Sequence, residues 1–116
     1  ETDLHMIGQR IILDEFTPRY AIVAEDGQVV FLSEGADIYI QAPSGVFTNN
    51  IMRMVRRGLS VGLRTAFNEA IRKRRIVVRD IPAAHTTEGM KAVRLTVQPM
   101  PDLGREDGLY MLVFQD

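Results

Sequence analysis

Reactive side chains are sparse in this sequence. Of 116 residues, two are histidine and none is cysteine. The lack of cysteine removes disulfides, thiolate metal ligands, thiol nucleophiles and cysteinyl photochemistry together. His5 stands near the N-terminal end and His85 in the polar stretch HTTEG, so each reads as a solvated side chain. No nucleophile has a placed base, no two histidines pair, and no glycine-rich phosphate cradle sits at a strand-helix junction. The sequence therefore offers no catalytic residue, no metal ligand and no cofactor. Met52 and Met54 read as core filler, with a pliable ligand wall as the alternative.

Charge is the next chemical feature. The net charge of −1 hides a division, because residues 53 to 79 carry nine Lys and Arg against one acid, Glu69, leaving the remainder at −9. Such a dipolar surface can dock on an acidic partner. The run Arg72, Lys73, Arg74, Arg75 also suits a helix C-terminus, where positive charge offsets the macrodipole. The aromatic and glycine patterns of RNA modules are missing, which argues against nucleic acid.

At this length the chain reads as one domain, able to bury roughly two-thirds of its unfolded surface. The apolar 46% and charged 25% are ordinary for a soluble fold. No apolar run approaches the ~20 residues of a membrane span, and no signal-peptide pattern opens the chain. A cysteine-free composition suits an intracellular, cytoplasmic setting. A first residue of Glu1 rather than Met suggests a piece of something longer.

The elements that must position any site follow from periodicity. Leu4 to Phe16 predicts an amphipathic helix, with Leu4, Ile7 and Ile11 at spacings of three and four and Phe16 beside them, ended by Thr17-Pro18. Left in water, that stripe would forgo ~1.5 to 3 kcal/mol per side chain, so it must dock, within its own subunit or across a dimer. Residues 21 to 33, AIVAEDGQVVFLS, predict a hairpin turning at Asp26-Gly27 in a two-residue type I′ loop. That turn would set Val23 opposite Val30 and Ile22 opposite Phe31. Both hairpin faces are then apolar, and both require a cover.

Residues 34 to 47 predict a short helical turn among loops, anchored by Tyr39 and Ile40 in the core or along a ligand cavity. Thr48 or Asn49 is the expected cap of a helix through Ile51 and Val55, and Gly58 a break before a longer helix. In that helix Leu59, Leu63, Ala66, Phe67 and Ala70 share one face, the expected main cover of the hairpin. Three strands follow: Arg75 to Ala83, with the charges and proline of an edge, then Ala92 to Pro99, then Leu109 to Gln115, apolar on both faces and hence central. This is an α+β layout.

The order of elements resembles a PAS domain, with greatest similarity to those of chemotaxis methylesterase/methyltransferase fusion proteins. The residues that carry the resemblance are Pro18, Asp26-Gly27, Gly35 with Tyr39-Ile40, Pro43-x-Gly45, Arg57-Gly58-Leu59-x3-Leu63-x2-Ala66-x3-Ala70, Val97-x-Pro99 and the closing LYMLVFQ. It divides the chain into an N-terminal helix or linker, 1–17, and a PAS-like domain, 18–116. It implies a five-stranded antiparallel sheet in the order 2-1-5-4-3, helices on one face, and an N-terminal helix over the other face or at a dimer interface.

Two working parts follow from the resemblance. One is a small apolar cavity between helices and sheet, bordered by some of Ile40, Val55, Leu59, Leu63, Val97 and Met111, which would take a small apolar ligand. The other is a homodimer contact through Leu4, Ile7, Ile11 and Phe16. The implied function is a non-catalytic sensory or docking module that relays a signal to a methyltransferase or histidine kinase in the same polypeptide. Any methyltransferase activity would reside in the parent chain rather than in this segment.

Overall fold

A computed structural model describes residues 3–8, 19–42, 45, 48–100 and 108–116. Residues 3–8 are helical (α1). The expected helix beyond them, with Ile11 and Phe16, lies outside the described residues. From Arg19 the order is β1 (Arg19–Ala24), β2 (Val29–Leu32), a 3₁₀ turn (Ala36–Ile38), α2 (Ile51–Met54), α3 (Ser60–Lys73), β3 (Val77–Thr86), β4 (Gly89–Pro99) and β5 (Leu109–Gln115). The strands form one antiparallel sheet in the order β2-β1-β5-β4-β3. β5, the strand expected at the centre, is the middle one.

The hairpin closes differently from the sequence expectation. Gly27 N–H donates to Ala24 O at 2.8 Å and Ala24 N–H to Gln28 O at 2.9 Å, so the loop has three residues, Glu25 to Gly27. Gly27 takes a φ of 92°, while Asp26 does not enter the left-handed region. This is a type I turn followed by a bulge glycine, a geometry an Asp-Gly pair serves as well as the type I′ turn. A further irregularity between Ile22 and Val23 sets Val23 opposite Val29 while Ile22 keeps Phe31. Val30 is thereby left as an extra residue, exposed at the edge.

The cap of α2 is Asn50, one residue beyond the two expected. Its side-chain oxygen accepts the Met52 N–H at 2.9 Å, and its Nδ2 donates to Asp26 O at 3.1 Å. One asparagine thus satisfies an orphan helix donor and pins the hairpin turn to the helix. Ile51 N–H adds a bond to Gly27 O at 2.8 Å.

The cover of the hairpin is shared. α3 packs mainly on β3 and β4 and reaches β5 through Phe67, whose ring meets Tyr110 edge-on at 5.3 Å. Ala21 and Val23 of β1 lie in one core with the buried face of α3, with Ala36 in the 3₁₀ turn, Tyr39 just after it and Ile51 of α2. The helix does bury the face its periodicity predicts: Leu63, Ala66, Phe67 and Ala70, with Leu59 at its start. Gly58 permits the sharp approach that starts it. With φ at 95°, a Cβ there would lie 3.0 Å from Ala83 O and from Ala84 Cα. The β3–β4 hairpin is longer than predicted, so His85 and Thr86 belong to β3 and only Thr87 and Glu88 remain as the turn. Pro82 falls at the irregularity of β3, an edge strand, where no ladder donor is lost.

Candidate functional site

Alternation along β5 divides the sheet into two faces. Tyr110, Leu112 and Phe114 are buried beneath the helices, and Met111 and Val113 between them point to the outer face, half-buried. The same alternation buries Leu95 and Val97 on β4 and Ala21 and Val23 on β1.

Five of the six predicted cavity residues come together. Ile40, Val55, Leu59, Leu63 and Val97 all belong to one hydrophobic core, with Met52 and Met54 packed against it. Ile40 and Val55 face each other across an isolated bridge, with Gln41 N–H on Met54 O at 2.7 Å and Arg56 N–H on Tyr39 O at 2.9 Å. Met111 stands apart: it pairs with Ile22 and Gln98 and lies on the outer face, away from the other five. A surface concavity of about 570 Å³ lies elsewhere, bordered by Asp80, Pro82, Arg94, Gln115 and Asp116, and shares none of the six.

A polar cluster that no sequence pattern announces closes one end of the core. Tyr39, expected to anchor its segment in the core or along a cavity, stacks its buried ring on Phe114 at 5.2 Å. Its hydroxyl donates to Asp116 Oδ1 at 2.9 Å. Lys91 Nζ lies 3.2 Å from Asp116 Oδ2 and 3.2 Å from Glu88 Oε1. Burial pushes the Tyr39 phenol well above its ordinary range, and the Asp116 bond and charge push the same way, against the charge of Arg19. The bond from Tyr39 in turn holds the Asp116 carboxyl below the usual carboxylate range. A phenol so raised stays protonated and donates to the Asp116 carboxylate. Seventy-seven residues separate the pair, and no local pattern announces it.

The outer sheet face carries Tyr20, Ile22, Met111 and Val113, half-buried, and Phe31, whose ring stacks on Tyr20 at 6.0 Å. In α1, Leu4 is 75% and Ile7 55% exposed, so these two dimer candidates bury little within the chain. Ile11 and Phe16 lie outside the described residues. His5 and His85 are exposed. Among the described residues no group of three metal-ligating side chains assembles, and no helix is long and apolar enough to cross a membrane.

No family model matches the chain, and no curated protein matches it. Solved structures do. A sensory box sensor histidine kinase from Vibrio cholerae superposes with a TM-score of 0.64 at 15% identity, over 100% of this chain and 95% of that one. A PAS domain from a two-component sensor histidine kinase gives 0.53 at 9% identity, over 99% and 98%. The PAS domain of the fruit-fly ELK potassium channel gives 0.54 at 13%, over 97% and 95%. At such identities the likeness speaks to architecture, and with the 2-1-5-4-3 sheet it shows that this chain has the PAS fold.

Proposed function

We propose that the chain is a non-catalytic sensory and protein-interaction module of a larger signalling protein. Residues 18–116 form the domain, and residues 1–17 form the helix or linker through which two copies meet. Of the three structures above, two come from sensor histidine kinases, which favours a linked histidine kinase as recipient of the signal over a methyltransferase. A cytoplasmic site of action accompanies this reading.

The observation that carries it is the doubly apolar sheet. One face is filled by the helices, the other presents Tyr20, Ile22, Phe31, Met111 and Val113, and the N-terminal helix separately exposes Leu4 and Ile7. Two incomplete apolar surfaces in one chain favour a contact that completes both. The six-residue ligand pocket is the weaker alternative, because five of its residues already pack on one another in the core.

Sedimentation velocity at micromolar concentration tests the proposal. The chain sediments as a dimer, and an Ile7→Asp, Ile11→Asp double variant sediments as a folded monomer. Folded monomers from both chains overturn the dimer.

A further inference from the structure

The two edges of the sheet carry opposite charge. β2 and β3 are its outermost strands. β2 is preceded by Glu25 and Asp26 and followed by Glu34, all exposed. β3 is preceded by Arg72, Arg74 and Arg75, with Arg64 lower on α3, also exposed and without an ion pair among the described residues. The acids of α3 and β3 are already paired: Glu69 is shared by Lys73 at 3.5 Å and Arg79 at 3.4 Å, and the exposed Asp80 of β3 is held by Arg94 of β4 at 2.8 Å.

Exposed apolar side chains accompany each charged edge. Val30 and Leu32 of β2 are 50% and 40% exposed, and Ile76 and Val78 at the start of β3 are both 54% exposed. Natural sheets protect their edges with charge, and a single sign on both edges would keep copies apart. Here the signs differ, so contacts between like edges repel while β2 against β3 attracts. The net charge of −1 adds almost no general repulsion to oppose that contact.

We propose that a second copy of this chain docks head to tail, the acidic β2 edge of one copy lying on the arginine-rich β3 and α3 edge of the next. The contact is heterologous, so it leaves a free edge of each kind and propagates with concentration. It is separate from the dimer proposed above, which buries apolar surface and is not dissolved by salt.

Sedimentation velocity across a concentration series tests it, at about 0.05 M and about 0.5 M salt, where screening of exposed charges differs severalfold. At low salt the weight-average sedimentation coefficient rises with concentration; at high salt the apparent affinity falls by about tenfold or more. An Arg64→Glu, Arg75→Glu variant loses this salt-sensitive component, as does a Glu25→Lys, Glu34→Lys variant, and an equimolar mixture of the two recovers it. Far-UV circular dichroism confirms that both fold, and Arg64→Gln, Arg75→Gln replaces the first if reversal unfolds it. A salt-sensitive component that is absent in the wild type, persists in either reversal, or is not recovered by mixing overturns the proposal. If the whole of the association resists salt and disappears in Ile7→Asp, Ile11→Asp, the head-to-tail contact is overturned and the N-terminal dimer stands.

Discussion

Replacing Gly58 with alanine probes the joint on which the helical layer is hung. Gly58 adopts a φ of 95°, and a Cβ at that position would meet Ala83 O and Ala84 Cα at 3.0 Å. An L-residue with left-handed backbone costs about 1–2 kcal/mol. Because both opposing atoms are backbone, β3 must yield, and such overpacking adds about 1–3 kcal/mol. The adjacent bond from His85 N–H to Arg57 O, 2.9 Å long, is strained by the same movement. The sum, about 2–5 kcal/mol, is a large part of the ~5–15 kcal/mol that stabilises a typical domain.

Urea unfolding followed by far-UV circular dichroism measures the loss. Gly89→Ala is the control, since Gly89 has a φ of 99° and open space around it, and it isolates the backbone cost of about 1–2 kcal/mol. Gly58→Ala must exceed Gly89→Ala by about 1 kcal/mol or more. Equal losses in the two variants refute the close approach of residue 58 to β3.

Two further perturbations test local devices. Asn50→Ala removes the cap on Met52 N–H and the bond to Asp26 O, and it should cost about 1–2 kcal/mol in the same assay, with a smaller loss for Asn50→Asp, which keeps the acceptor but not the donor to Asp26 O. Asp116→Asn tests the polar cluster through pH. The carboxyl is depressed in the folded state, so its stabilisation is present above the ordinary carboxylate range and is lost as pH falls through the depressed folded value. The wild type should therefore be the more stable chain at neutral pH, with the difference shrinking below about pH 4. A difference that holds constant down to acid pH contradicts the Tyr39–Asp116 linkage.

Much of the architecture was legible because composition and period agreed. β5 matches its predicted bounds, Leu109 to Gln115, because an apolar run between polar loops admits one reading. The buried face of α3 was legible from its 3.6-residue period. Phase within a doubly apolar strand was not: Tyr110, Met111, Leu112 and Val113 contain no polar residue to mark a face. Met111 was therefore assigned to the helix side, although its neighbours on β1 and β4, Ile22 and Gln98, place it outside.

The hairpin turn failed for a different reason. Asp26-Gly27 satisfies two turn geometries locally, and the bonds that accompany the observed one come from Asn50 and Ile51, more than twenty residues away. The same distance hides the part that the 3₁₀ turn and α2 take in covering β1, which the amphipathicity of α3 does not announce. The Tyr39–Asp116 pair joins two elements distant in sequence, and each residue alone reads as ordinary.

The central claim is that the outer sheet face is the working surface, closed by the N-terminal segment of a second copy. The chain has no cysteine, so a Val113→Cys variant places a single thiol on that face. Its labelling rate with a maleimide, followed across a concentration series, reads the cover directly. The rate should fall as the chain associates and be restored by adding Ile7→Asp and Ile11→Asp. A rate independent of concentration and unchanged by those two substitutions would contradict it.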